Sequence, residues 1–128
     1  MAVVLDSWAV IEFLEGNEPA ASAVRRLLDS EIPTISWINL GEVYYIVRRN
    51  HGQLAAESVV RDLQDIVAAE LPTSRRVMEA ARIKADHRMS YADCFAAATA
   101  AAHGATLWTG DPELLVDGAA WTWRDLRA

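Results

Sequence analysis

Five polar side chains of this sequence could do chemistry together, because three stand where an element of structure is predicted to end or begin and two share one face of a predicted helix. Asp6 and Asp111 follow short apolar runs that read as strands, and Asp93 lies in the first turn of an alanine-rich helix. Asn39 and Glu42 lie three residues apart, on one face of another predicted helix. In sheets of parallel strands, ligand sites lie outside the carboxyl ends of the strands. We therefore expect these groups to face one site.

Clustered carboxylates favour one kind of chemistry. Acidic side chains brought together without a basic neighbour repel one another, and a hard divalent cation among them removes the repulsion. The chain has a single lysine, Lys84. Oxygen ligands suit Mg²⁺ or Mn²⁺ rather than zinc or copper. The chemistry typical of such a cluster is attack of a metal-activated water on a phosphodiester.

A purely structural interpretation competes for each acid. Ser90 and Asp93 have the S-x-x-D spacing of a helix N-terminus, in which the serine caps and the acid reaches back. Asp111-Pro112 is a cap followed by proline, and Asp6 can cap the helix that follows it. Glu42 can be a solvated helix acid. Taken singly the two interpretations are equally good, but taken together the capping interpretation does not explain why the acids coincide.

Other catalytic sets are missing from the sequence. His51, His87 and His103 lack the spacing of metal ligands, and the single cysteine, Cys94, excludes a site of several thiolates. There is no G-x-S-x-G elbow, no Walker loop and no G-x-G-x-x-G turn. The acids are therefore the main candidates for catalysis.

Composition limits the class of protein. The 128 residues are 52% hydrophobic and 23% charged, which predicts one globular domain over residues 1–128. The sequence has no apolar run of membrane-spanning length and no visible signal peptide, so we expect a cytoplasmic protein without a membrane partner. The net charge of −6 is the wrong sign for holding nucleic acid by bulk charge, so contacts with RNA or DNA must be local or metal-mediated.

Strand-like and helical segments alternate along the chain, which predicts an α/β domain with a mostly parallel central sheet and helices on both faces. Four of the detailed predictions matter below. A helix over 7–15 turns Trp8, Ile11, Phe13 and Leu14 inward. A second strand covers 32–35, and Pro33 in it argues for an edge or an extended entry. An amphipathic helix covers 54–70. The helix that opens at Ser90 extends to about His103.

Four segments together resemble a known family. They are Val4–Val10 (VLDSWAV), Asn39–Val43 (NLGEV), Ala85–Cys94 (ADHRMSYADC) and Leu107–Leu114 (LWTGDPEL). In this order and at these separations they resemble the PIN domain, and in particular the VapC toxins of bacterial VapBC toxin–antitoxin pairs. The resemblance implies a PIN-like three-layer α/β/α fold.

The resemblance also implies a function. Asp6, Glu42, Asp93 and Asp111 would be the acidic catalytic and metal-binding set, and the supporting polar residues would be Ser7, Asn39 and Thr109. The family cleaves RNA with Mg²⁺ or Mn²⁺, is restrained by a VapB antitoxin and commonly forms homodimers. Two positions depart from the family pattern. Gly110 stands where a larger polar residue is frequent, and Cys94 follows the third acid where a small residue is usual.

Three other functions stay open at this point. A non-toxin PIN nuclease of RNA processing would keep the same acids, and a non-catalytic α/β binding module would use them only as caps. A phosphotransfer domain would need an activating lysine, for which Lys84 is the candidate. The first helices and the helix over 38–47 are also rich in aromatic and apolar residues, which indicates a groove for an antitoxin helix or a dimer face. The residues that suggest this groove are Trp8, Phe13, Trp37, Tyr44 and Tyr45.

Overall fold

A parallel sheet runs through the centre of the computed structural model, which describes residues 2–128. Within this range the sheet has five strands: β1 (Val3–Leu5), β2 (Thr34–Ser36), β3 (Ala68–Glu70), β4 (Thr106–Thr109) and β5 (Thr122–Asp125). Their order is β3-β2-β1-β4-β5, and every neighbouring pair is parallel. The carboxyl ends of the strands therefore meet at one edge. The predicted parallel sheet is confirmed.

Six helices connect the strands of the described range. They are α1 (Ser7–Glu15), α2 (Ala20–Ser30), α3 (Trp37–His51), α4 (Gln53–Leu63), α5 (Ser74–Asp86) and α6 (Tyr91–His103), and a 3-10 turn covers Pro112–Leu114. Gly16 and Gly104 end α1 and α6 in the left-handed conformation, with φ of 73° and 59°, which glycine adopts without strain. None of the helices in residues 2–128 has the length and apolar character needed to cross a membrane.

The two faces of the sheet carry separate apolar clusters. Val3 and Leu5 belong to one cluster, with buried residues of α1 to α4. Val4, between them, belongs to the other cluster with Leu107 and the buried alanines of α5 and α6. This alternation is the two-residue period of a strand buried on both faces. The predicted three-layer α/β/α fold is confirmed.

Helix α6 packs closely because its side chains are small. Every residue from Asp93 to Ala100 is buried, and Ala96 and Ala97 have no exposed surface. Its N-terminal turn reaches α3, where the Asn39 amide donates to the carbonyl of Ala92 at 3.1 Å. The helix thereby carries Asp93 to the edge of the sheet.

The amphipathic helix predicted over 54–70 is wrong in its second half. Helix α4 ends at Leu63, and Ala68–Glu70 forms the edge strand β3. β3 pairs with Thr34–Ser36, and the Ala68 N–H donates to the Pro33 carbonyl at 2.8 Å. Helix propensity is a weak preference that tertiary pairing overrides, and here the pairing with β2 decides the conformation.

Two smaller expectations also need correction. The second strand begins at Thr34 and lies between β3 and β1, so it is an interior strand. Pro33 precedes it as an extended entry, where no ladder N–H is required. Leu14 is exposed, and the buried residues of α1 are Ser7, Ala9 and Val10.

We expect Ala97→Leu to destabilise the protein by about 1–3 kcal/mol, because the added carbons have no space between α6 and the sheet. Ala101→Leu is the matched control: it makes the same change on the same helix at an exposed position, and should stay within about 0.5 kcal/mol of the wild type. Urea unfolding of both variants measures the difference. Equal midpoints would contradict the close packing of α6.

Candidate active site

Asp6 lies at the carboxyl end of the central strand and caps α1. Its Oδ1 accepts a hydrogen bond from the Ala9 N–H at 2.8 Å, and its Oδ2 accepts one from the Thr109 hydroxyl of β4. Only 1% of the residue is exposed. Strand register explains the bond to Thr109. Leu5 lies opposite Trp108, so the next residues of the two strands, Asp6 and Thr109, are neighbours.

Asp93 and Asp111 approach this edge from α6 and from the end of β4. The Ser90 hydroxyl caps α6 by accepting from the Asp93 N–H at 3.1 Å. Asp111 caps the 3-10 turn by accepting from the Glu113 N–H at 3.0 Å, and its own N–H donates to Thr109. The Asp111 carboxyl lies close enough to the Asp93 carboxyl to raise its pKa. Both helix starts predicted from the sequence are present.

Glu42 is held by two side-chain donors from different helices. The Ser7 hydroxyl of α1 donates to its Oε1 at 2.8 Å, and the Asn39 amide of α3 donates to the same oxygen at 3.2 Å. The Asn39 amide also donates to the Ala92 carbonyl. Asn39 is fully buried, so it links Glu42 to the start of α6.

The charges of these acids act on one another. Burial raises the pKa of the Asp6 carboxyl to about 7, hydrogen bonds from Thr109 and a backbone N–H oppose this rise, and the charges of Asp111 and Glu42 add to it. Burial also raises the pKa of Asp93, and Asp111 raises it further through its charge. The four acids therefore lie within reach of one another's fields, although they come from distant parts of the sequence.

An open cleft covers these groups. Its walls are formed by ten residues: Ser7, Trp8, Ile11, Glu12, Glu42, Ile46, Ser90, Asp93, Asp111 and Glu113. Asp6 is buried and is not part of the walls. Sequence reasoning missed Glu12 and Glu113 as wall residues, and it assigned Trp8 to the core or a partner groove. A helical repeat was a usable signal, since Trp8 and Glu12 lie four residues apart on α1.

The donor set suits a hard divalent cation, because all of its candidate ligand atoms are oxygens. Asn39 Oδ1 is the one buried side-chain polar atom of residues 2–128 without a hydrogen-bond partner, so a further oxygen donor lies beside Glu42. In the same range no three His, Cys, Asp or Glu side chains yet form a chelating group. Asp6, Glu42 and Asp111 instead accept hydrogen bonds from protein donors.

Lys84 does not serve this site. Its Nζ donates to the Met89 carbonyl at 2.6 Å, and it is not among the cleft residues. A phosphotransfer function would need an activating lysine at the site, and Lys84 does not provide one. Cys94 is buried in the apolar cluster around α6, so this departure from the family pattern is accommodated by the core.

Comparison with protein families and solved structures gives consistent results. A family model described as the PIN domain matches residues 3–116, a range that contains all four acids. No curated protein sequence matches the chain significantly.

The similar solved structures include two VapBC complexes and a VapC toxin. VapBC2 from Rickettsia felis, bound to a DNA fragment from its promoter, is 14% identical with a TM-score of 0.78, over 98% of both chains. Mycobacterium tuberculosis VapC20, described as a sarcin–ricin loop cleaving toxin, is 18% identical with a TM-score of 0.74, over 91% of this chain and 95% of that one. VapBC-1 from nontypeable Haemophilus influenzae is 19% identical with a TM-score of 0.75, over 100% of both chains. At these identities the likeness establishes the fold.

We expect the metal-free protein to lose stability as the pH rises from about 4 to about 7. Folding raises the pKa of Asp6 from 3.8 to about 7 and also raises that of Asp93. In this window the folded protein holds protons that the unfolded chain has released, so the free energy of unfolding falls by up to about 1.4 kcal/mol per pH unit for each group. Above pH 7 the contribution of Asp6 levels off. Urea unfolding in EDTA at several pH values measures the slope.

Two variants identify the source of this slope. Asp93→Asn should flatten it, because the amide does not titrate. Asp29→Asn removes an acid from an exposed position on α2 and should leave the slope unchanged. Equal slopes in the wild type and in Asp93→Asn would show that the cleft acids do not titrate as described.

Proposed function

The chain belongs to the PIN-domain family, and from this membership we propose that it is a Mg²⁺- or Mn²⁺-dependent endoribonuclease that acts as the toxin of a VapBC-type pair. The observation that carries the proposal is the meeting of Asp6, Glu42, Asp93 and Asp111 at the carboxyl edge of the sheet. Their pKa shifts include one another's charges as causes. Repulsion of this kind destabilises the folded protein, and a bound cation removes it.

The proposed ligands are these four acids, which are also the proposed catalytic residues. A divalent ion bound there supplies charge stabilisation to a phosphodiester and activates water for attack. Ser7 and Asn39 orient the Glu42 carboxylate through the bonds to its Oε1. Thr109 fixes Asp6 at the cleft floor. The Asp93 carboxyl must release the proton that burial favours before it can act as a ligand or a base.

RNA is the proposed substrate, and VapC20, described as a sarcin–ricin loop cleaving toxin, has the same fold. With a net charge of −6, the protein needs local cations to hold RNA. Arginine side chains supply these cations in the proposal, but some are already engaged. Arg76 pairs with Glu70 and Glu79, and Arg49 lies over the Tyr45 ring. The candidates that lie at exposed positions are Arg25, Arg26, Arg48, Arg75, Arg82 and Arg88.

A VapB-type antitoxin is the proposed partner. An apolar groove runs between α1, α3 and α4, with Ile11, Leu14, Ile46, Val47 and Val59 among its walls. Ile11 and Ile46 also line the acidic cleft, so a helix lying in the groove reaches the site and can block it.

The aromatic residues that suggested a groove from the sequence do not line this apolar groove. Trp8, Phe13, Trp37 and Tyr44 pack against the core, while Tyr45 is exposed. We also propose that the protein forms a homodimer and that it is cytoplasmic.

We expect Asp93→Asn to slow RNA cleavage by at least roughly a hundredfold, the scale of losing a group that stabilises transition-state charge. The variant should be no less stable than the wild type in chelator, because the Ser90 hydroxyl keeps the helix cap and one repulsive charge is gone. It should also gain less stability from added Mg²⁺. A cleavage assay and melting curves with and without Mg²⁺, on the same preparations, measure all three effects.

The matched control is Asp29→Asn, which removes the same charge outside the cleft and should cleave RNA at the wild-type rate. Full activity in an Asp93→Asn variant would show that Asp93 has a structural role and no catalytic one. A wild-type chain that gains no stability from Mg²⁺ and cleaves no RNA would favour the non-catalytic binding module.

A further inference from the structure

Trp8 is the one aromatic residue among residues 2–128 that lines the acidic cleft. It lies on the first turn of α1, two positions after the buried Asp6 and next to Ser7, which donates to Glu42. One part of the ring packs against the apolar core, and the residue stays partly exposed. A large flat apolar surface is therefore held beside the acids, on the same rigid turn.

Gly110 determines where this ring lies. A Cβ atom built on Gly110 would come within 2.3 Å of Trp8 Cη2, 2.4 Å of Cζ2 and 2.6 Å of Cζ3. Separations below about 3 Å are not compatible with packed carbon atoms. The six-membered ring of Trp8 thus lies directly on the Gly110 backbone, in space that any side chain at position 110 would take. This contact gives a physical reason for a glycine where the family pattern has a larger polar residue.

Two of the five tryptophans donate their indole N–H to a backbone carbonyl. Trp121 donates to the Leu114 carbonyl and Trp123 to the Val116 carbonyl, each at 3.0 Å. The indole N–H groups of Trp8, Trp37 and Trp108 have no hydrogen-bond partner within residues 2–128. What distinguishes Trp8 is its place in the wall of an open cleft, which a ring used only for packing does not need.

Charge limits what that ligand contacts. The cleft walls carry Glu12, Glu42, Asp93, Asp111 and Glu113, so the phosphates of a nucleic acid are repelled wherever no cation intervenes. The neutral face of an aromatic ring attracts a nucleobase without regard to this field, and base stacking on such rings is a main source of affinity for single strands. Trp8 is the residue of the cleft that offers this interaction.

We propose that Trp8 is the platform on which one base of the RNA substrate stacks beside the acidic cleft, and that Gly110 positions the ring. The inference rests on the proposed ribonuclease function and adds a residue that holds the substrate. Stacking tolerates any base, so Trp8 contributes affinity and places the strand over the acids, while it leaves the choice of sequence to other contacts.

The test measures binding of a fluorescent 12-nucleotide single-stranded RNA of mixed sequence, in Mg²⁺, by anisotropy. All proteins carry Asp93→Asn so that the RNA stays intact. Trp8→Leu should weaken binding roughly 5- to 150-fold, the range that one stacked base provides, and Trp8→Phe should weaken it less. A 12-unit ribose-phosphate chain without bases should bind equally well with and without Trp8. Tyr45→Leu, which removes an exposed aromatic ring outside the cleft, should not change RNA affinity.

Gly110→Ala provides a second route to the same answer. Its added methyl group must displace the indole, so it should weaken RNA binding when Trp8 is present and have no further effect in the Trp8→Leu background. Melting curves show which variants are folded, and Trp8→Phe and Gly110→Ala carry the test if Trp8→Leu is not. RNA affinity that is unchanged by all three variants overturns the inference and assigns the ring to packing or to a protein partner. A wild-type chain that cleaves no RNA overturns the proposed function itself, which is a separate result.

Discussion

The burial of several carboxylates near one another is the constraint on which the rest of this structure depends. Burial disfavours the ionised forms of Asp6 and Asp93 most, and the charges of neighbouring acids add to this effect, so the pKa values of both groups are raised. Hydrogen-bond donors from the protein contact three of the acids. Asp6 receives a backbone N–H and the Thr109 hydroxyl, Asp111 receives a backbone N–H, and Glu42 receives two side-chain donors. Three of the four acids of the site are therefore held by their own donors.

These donors come from elements that the chain separates widely, so the site and the packing depend on each other. Ser7 belongs to α1, Asn39 to α3 and Thr109 to β4. Asn39 alone contacts Glu42 and the backbone of Ala92, which joins α3 to the first turn of α6. A shift of any of these elements would leave a carboxylate without its donor. The close packing of the alanines of α6 thus serves the geometry of the acids as well as the core.

Much of this arrangement was predictable, because its signals are local. Asp6 and Asp111 end apolar runs, and Ser90 marks the start of α6, so the strand ends and the helix start could be read from short segments. The position of Glu42 needed the spacing from Asn39 and the family resemblance.

Long-range effects were not predictable in the same way. Pairing with β2 converts the end of a helical pattern into strand β3. The sequence marked Gly110 as a departure from the family pattern but gave no sign that the Trp8 ring lies on it. Neither contact leaves a local pattern in the sequence, so only the fold reveals it.

The capping and chemical interpretations of the acids are not alternatives for every residue. For Asp6 and Asp111 the carboxylate does cap a helix or turn, so both side chains have a structural role in the fold. Asp93 is different, because the cap of α6 is the Ser90 hydroxyl, and the Asp93 backbone N–H is the group that it satisfies. The carboxyl of Asp93 is left buried against Ser90 and another acid, where an asparagine would meet less repulsion. Of the three aspartates, Asp93 is therefore the one whose charge the fold explains least, and a role in chemistry explains it best.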